Sequence, residues 1–310
     1  MLPIVYHAIY SQLELPAEHR YPISKYQRLY QALVEKQQQD SNWLQLFEIT
    51  QPSPLTIEQV QQVHCPDYIE ALFNNQLPAA KMRRIGFPWS EQLIERTLTS
   101  AGGTCLSAEL ALEHGLAIHL SGGYHHAHYD FGSGFCLIND LVLAAKRALE
   151  FPHIDKVLII DSDVHHGDGT ATLCAGEEDI ITLSFHCDKN FPAKKPDSDI
   201  DIALSRETGD QEFLDHFCSV VQTAVNLHRP DMIVYDAGVD IHSDDELGYF
   251  NVSTQALFQR DSFLIQLAKE KSIPMACVVG GGYRSDHQTL VPLHMQLLEA
   301  AFTNYKALLC

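Results

Sequence analysis

Six short apolar runs rich in β-branched residues recur along the chain: Ile4–Tyr6, Leu116–Leu120, Lys156–Ile160, Ile180–Phe185, Met232–Tyr235 and Met275–Val279. A strand with one wet face alternates apolar and polar residues; these runs do not, so both of their faces are expected to be covered. Long helical patterns lie between them. Ser90–Glu113 opens on a candidate N-cap serine, Asn139–Glu150 keeps Leu141, Val142, Ala145 and Leu149 on one side, and Gln211–His228, Thr254–Lys271 and Asp286–Asn304 follow the same logic. Strands alternating with helices predict an α/β architecture, a central parallel β-sheet with helices on both faces. No repeat, low-complexity linker or composition break divides the chain. Its 310 residues, 45% of them hydrophobic, suit one large domain spanning 1–310. The stretch Lys189–Gly209 is polar, holds two prolines and reads as a long loop, and loops of that length in compact domains tend to be functional.

In an open parallel sheet, sites form outside the carboxyl ends of the strands. Four of the runs end in unusual residues: "SGGYHH" after Leu116–Leu120, "DSDVHHGDG" after Lys156–Ile160, "DAGVD" after Met232–Tyr235 and "GGGYRSD" after Met275–Val279. Four such clusters at neighbouring ends can meet in one crevice.

The second cluster is the most specific. Asp161, Asp163 and His165 share the parity of an extended chain and would face one side. A catalytic zinc usually has three protein ligands and one open position. Asp163 and His165 supply two, and Asp240, closing "DAGVD", is the natural third. Aspartate and histidine donors suit zinc or ferrous iron alike. An isolated Asp-x-His more often caps a turn; here three further clusters weigh against that. The adjacent His125 and His126 can converge on one point only in an irregular turn, which the flanking glycines suggest. Such histidines can take and return a proton, each with a carboxylate behind it, and Asp161 and Asp168 are the unassigned carboxylates nearby. Tyr283 follows three glycines, so its loop can bring a phenol over the site as an oxyanion donor. Phe135, between Gly134 and Cys136, suits either a wall for a linear apolar stem or the core. His128, His166 and His186 read as structural histidines.

Net charge narrows the partners. At −19, phosphate-backbone binding is not expected as a main activity; such a surface would help draw in cationic partners, although acidity of this kind more often serves solubility. No apolar run reaches the roughly 18 residues of a membrane span. The start "MLPIVYHAIY" lacks the marks of a signal peptide and reads as a first strand. Eight scattered cysteines without a C-x-x-C pair suit free thiols in a reducing compartment, so a cytoplasmic protein is expected.

The segments "GGYHHAHYDFGSGFCLIND", "DSDVHHGDG", "DAGVD" and "GGGY" resemble, in type, order and spacing, the signatures of the metal-dependent histone deacetylase superfamily, which also holds acetoin-utilisation proteins and acetylpolyamine amidohydrolases. The likeness runs over nearly the whole chain. "RRIGFPWS" (83–90) and "NFP…SDIDI" (190–202) look most like the class IV branch and its bacterial relatives. The resemblance implies the arginase/deacetylase fold and zinc-dependent hydrolysis of an acylated lysine side chain or a small acylated amine. It implies Asp163, His165 and Asp240 as zinc ligands, His126 as general base and acid with Asp168 behind it, and His125 as its electrostatic partner with Asp161 behind it. Tyr283 matches the transition-state donor and Phe135 one tunnel wall. A potassium site beside the zinc would use Asp161, Asp163, His165, Ser184 and Phe185, partly through carbonyls. The sequence departs from the best-known members in one loop: the opposite wall there is a Phe before Pro-Gly, whereas "CDKNFPAKKP" here is shorter and offers Phe191. The residue that grips the substrate backbone in other classes has no match. Two rival readings are a binuclear manganese ureohydrolase, which needs a second metal-binding cluster that "DAGVD" does not supply, and a non-catalytic acyl-lysine binder, which would be expected to lack a ligand or the tyrosine.

Overall fold

A computed structural model describes residues 1–306 apart from 41, 42, 44 and 45. Eight strands form one sheet: β1 (Leu2–Val5), β2 (Phe47–Thr50), β3 (Leu116–His119), β4 (Val157–Asp161), β5 (Ile180–Cys187), β6 (Ile200–Leu204), β7 (Met232–Asp236) and β8 (Met275–Val278). Their order across the sheet is β2-β1-β3-β8-β7-β4-β5-β6, and every neighbouring pair is parallel. The helices are α1 (Lys25–Gln39), α2 (Ile57–Val60), α3 (Pro66–Phe73), α4 (Ala79–Ile85), α5 (Glu91–His114), α6 (Asp140–Leu149), α7 (Asp168–Cys174), α8 (Asp210–His228), α9 (Thr254–Lys271) and α10 (Val291–Lys306).

The apolar runs are the strands, within a residue or two at each end. Every residue of β3, β4, β5, β7 and β8 is buried. Each Val, Ile or Leu side chain so covered contributes about 1.5–3 kcal/mol. Helices α5 and α6 pack on each other, α5 also on β1, β3 and β8, and α6 on β4 and β7. Helix α9 packs with α8 and α10, and α10 with α1. The helix starts follow their caps: the Ser90 side chain accepts from Leu93 N at 3.0 Å and Asn139 from Val142 N at 3.1 Å. The last predicted helix begins later than expected, because His287–Leu290 forms a 3₁₀ turn before α10.

The stretch Lys189–Gly209 is not all loop: β6 lies within it. Its residues "IDIAL" alternate in burial because this is a sheet edge, with one face partly open to water, and Asp201 together with the polar residues on either side of the strand hides it in a polar run. No helix among the described residues is long and apolar enough to cross a membrane. Cys65, Cys105, Cys136, Cys174, Cys187, Cys218 and Cys277 are free thiols; Cys310 lies outside the described residues.

Candidate active site

The strands that end in polar clusters, β3, β8, β7 and β4, are contiguous in the sheet. Their carboxyl ends therefore deliver four short segments to one place. Each segment is braced from behind. The turn before the histidine pair is held by Asp140, which accepts from Tyr124 N at 2.7 Å and Gly123 N at 3.1 Å. The carbonyls of Ala237 and Gly238 accept from Arg260, a fully buried guanidinium that also bonds Asp261. The Gly280 carbonyl accepts from Lys25 Nζ at 2.8 Å. Burial pulls this lysine down to about 8 against the opposing field of Asp240 and Asp163.

Strand β4 stops at Asp161, so extended-chain parity does not carry Asp163 and His165 to one side as expected. A bend does so instead, because side-chain carboxylates capture its amides. Asp161 Oδ1 accepts from Asp163 N at 3.1 Å, Asp163 Oδ1 from His165 N at 2.9 Å, and Asp240 Oδ1 from Val164 N at 2.9 Å. The outcome is a tight donor set. His165 Nδ1 lies 2.9 Å from Asp163 Oδ1 and 3.1 Å from Asp240 Oδ2, with all three residues buried. Burial alone would lower the His165 imidazole, but its hydrogen bonds to the Asp163 and Asp240 carboxylates carry it up to about 10. Burial, then Asp163, pushes Asp240 up to about 8. Two buried carboxylates at this separation demand positive charge between them. A divalent cation on one imidazole and two carboxylates, open on one side, meets that demand. The glycine loop can approach because a Cβ at Gly281 would stand 2.1 Å from Asp163 Oδ2 and 2.4 Å from Asp240 Oδ2.

The histidine pair does lie in a turn, with ring centroids 4.0 Å apart. His125 Nδ1 is 2.6 Å from Asp161 Oδ2, and His126 Nδ1 is 2.6 Å from Asp168 Oδ1, as the sequence pairing anticipates. The two rings differ electrically. Burial would lower His125, yet Asp161 and Asp163 raise it well above its ordinary value. Burial, then the charge on His125, lowers His126 to about 3. His126 is thus neutral at physiological pH, and with Nδ1 tied to Asp168, Nε2 is the ring nitrogen left for chemistry. Asp168 is held well below the carboxylate range: burial opposes this, and bonds from His126 and His128 prevail. His128, taken from sequence as structural, shares Asp168 at 3.0 Å.

Above the donor set opens a cavity of about 320 Å³, lined by His126, Phe135, His165, Phe191, Tyr283 and, at its mouth, Arg20 and Glu246 among others. Gly134 and Phe135 form the centre of a tight turn closed by Ser133 and Cys136, both with positive φ (51° and 67°). A left-handed phenylalanine costs about 1–3 kcal/mol and persists only where its surroundings insist. The Phe135 amide is pinned to Ile85 O at 2.7 Å. Phe191, half-exposed, brings its ring to 4.8 Å from His126 and 6.4 Å from His165. Tyr283 stands 6.2 Å from His165 and 6.0 Å from Phe135, ring to ring. Its amide donates to Asp245 Oδ2 at 2.6 Å, and Asp245 also caps Leu247 N and Gly248 N. Burial, then Asp163 and Asp240, pushes the Tyr283 phenol well above its usual range, so it remains a donor. Lys25, Arg260 and Asp245 were missed by sequence reasoning. Only Asp245, in the same acidic run as Asp240, carried a nearby signal.

The family model described as Histone deacetylase domain matches residues 19–296. The chain belongs to the histone deacetylase family. It is accordingly a hydrolase acting on amide bonds, in a metal-dependent family, and the parallel sheet with its helices is the expected arginase/deacetylase fold. An uncharacterised protein of Picosynechococcus sp. is 38% identical over 299 residues, covering 96% of this chain and 98% of that one. Histone deacetylase 2 of Arabidopsis thaliana is 27% identical over 292 residues, covering 90% of this chain and 74% of the plant protein. Acetoin utilization protein AcuC of Staphylococcus aureus is 29% identical over 265 residues, covering 78% and 68%. In this histone deacetylase-family chain the donor set, the histidine pair and the tyrosine lie on segments inside the matched range.

Proposed function

We propose that this protein hydrolyses the amide of an acylated lysine side chain, with zinc held by Asp163, His165 and Asp240. The observation that carries the reading is the buried donor set at the foot of a cavity walled by aromatic rings, with His126 and Tyr283 beside it. Bound there, the ion supplies a Lewis acid for the amide carbonyl and lowers the pKa of water. His126 accepts a proton from the attacking water at Nε2 and returns it to the departing amine. Asp168 fixes the tautomer, and Asp161 keeps His125 cationic beside it. Tyr283 donates its hydroxyl to the developing oxyanion. Phe135 and Phe191 flank the linear stem. Ferrous iron suits the same donors, and elemental analysis of the protein as purified decides between them.

A monovalent cation, potassium, would lie against Asp161, Asp163, His165, Ser184 and Phe185; Asp161 and Ser184 are register neighbours on β4 and β5. The free thiols support a cytoplasmic setting. One observation favours small acylated amines as the alternative substrate. Glu246, at the mouth, is held below its ordinary carboxylate range by bonds from Ser285 N and Oγ, and such an anion attracts a second ammonium group. A panel of acylated lysine peptides and acetylpolyamines separates the two: the peptides are expected to give the higher kcat/KM, and the reverse order would transfer the assignment to polyamines. A hydroxamic acid on a linear stem should inhibit; inactivity of all such compounds at millimolar levels would exclude this site.

Tyr283→Phe keeps the ring and removes only the hydroxyl. Losing one oxyanion donor typically costs about 10²–10³ in kcat. The variant is expected to fold, keep its metal and bind hydroxamate while turning over that much more slowly. A kcat/KM within a few-fold of wild type would reduce Tyr283 to a packing residue.

A further inference from the structure

A second cluster of metal-ligating side chains lies on the other side of β4. His166, the neighbour of His165, is fully buried; His186, near the end of β5, is 2% exposed; Asp201 sits on the edge strand β6. His166 Nε2 is 3.1 Å from Asp201 Oδ1, and His186 Nδ1 is 4.0 Å from the same oxygen. The imidazole rings meet edge to face at 4.5 Å. The other contacts are few. Asp201 Oδ2 accepts from Ser198 N at 2.8 Å, and His186 Nδ1 is 3.0 Å from Ser184 Oγ, a hydroxyl that can rotate. One carboxylate oxygen thus serves two buried imidazoles but bonds only one. A purely hydrogen-bonded role leaves such groups under-satisfied.

Two imidazoles and a carboxylate are a donor set for a first-row divalent ion. Around zinc, with bonds near 2.0–2.1 Å, tetrahedral ligand atoms stand about 3.3–3.4 Å apart. The separations here, 3.1 and 4.0 Å, bracket that value, and the 2.9 and 3.1 Å of the active-site set lie just below it. Asp201 keeps 28% of its side chain exposed, which leaves a route in from solvent.

We propose that His166, His186 and Asp201 bind a second divalent cation, of the zinc type, which clips shut the segment between residues 186 and 201. His186 opens that segment and Asp201 closes it. Within it, Lys195 Nζ donates to Asn190 O and Pro192 O, both at 2.8 Å, gathering the turn that carries Phe191. The ion ties both ends of this turn to His166, next to the active-site donor His165. Its effect on substrates rests on Phe191 lining the tunnel, as proposed above; its binding does not.

The test counts metal without substrate, so it stands apart from the deacylase reading. Zinc-loaded, desalted wild-type protein is expected to hold two equivalents by elemental analysis, and Asp201→Asn and His186→Gln one each. Hydrogen exchange of amides 187–199 should slow as the second equivalent is titrated into chelator-stripped wild type, and the same titration into Asp201→Asn should leave them unchanged. If either variant fails to fold, calorimetric titration of the stripped wild type decides: two zinc-binding events support the clip. One equivalent in wild type, or an undiminished two in Asp201→Asn, overturns it.

Discussion

Asp240→Ala should remove the active-site ion and abolish turnover while the sheet stays intact. Asp240 contributes twice: Oδ2 is a donor beside His165, and Oδ1 holds the Val164 amide in the bend that aims His165. On the proposed ligand set, alanine deletes one of three ligands and loosens a second, whereas catalytic zinc sites usually keep three. The fold should tolerate this. Asp240 lies beyond the end of β7, outside the apolar core, and its carboxyl faces Asp163, a like charge. Its folded pKa is raised to about 8, above the unfolded carboxyl, so whatever stability its proton confers is present at low pH and lost as pH rises towards 8. Near neutrality the metal-free protein therefore gains little from Asp240. Elemental analysis and thermal unfolding of the metal-free forms check both halves. A fully metallated Asp240→Ala protein would remove Asp240 from the ligand set.

His126→Ala should lower kcat by about 10²–10⁴, the usual worth of a positioned general acid–base. The loss should exceed that of His125→Ala. Both histidines are buried and both have a carboxylate at 2.6 Å, so a structural role predicts similar penalties. Their charges differ: burial and His125 keep His126 neutral, near 3, whereas Asp161 and Asp163 keep His125 protonated. Only the neutral ring can accept a proton at the start of the cycle. In the proposed mechanism His125 acts through its charge, which is felt but not transferred. Equal and mild losses at the two positions would mean that neither carries the proton.

The central part of the sheet was readable because burial on both faces leaves runs that are apolar up to their last residue or two, as in β3, β4, β7 and β8. The edges were not. In β2 only Phe47 is buried, and in β6 only Leu204 is, with Asp201 interrupting the apolar run, so each resembles a loop in one dimension. The site was readable for a related reason: four polar clusters at the ends of central strands have only one crevice to share. The local geometry was harder. The bend at Asp163–His165 is made by carboxylates capturing amides, which no parity rule anticipates. Lys25 on α1 and Arg260 on α9 reach the site across long sequence separations, and a positive charge inside a helical pattern looks like a wet surface until the fold buries it. The place of His128 behind Asp168 was not legible, because Asp168 has two oxygens and a sequence cannot tell that both are used.

The two aromatic faces of the cavity are mounted differently. Phe135 is bedded among Phe87, Tyr21 and His19, with centroids 5.5–5.7 Å away, and its amide is fastened to α4 at Ile85. Phe191 projects from a surface turn and is 43% exposed. One jaw is an anvil and the other is sprung. Discrimination by shape then belongs to the Phe135 side, where an ill-fitting chain meets a wall that cannot retreat. Tolerance belongs to the Phe191 side. For inhibitor chemistry the two flanks offer opposite opportunities: a packed contour for tight fit on one, and room for bulk on the other.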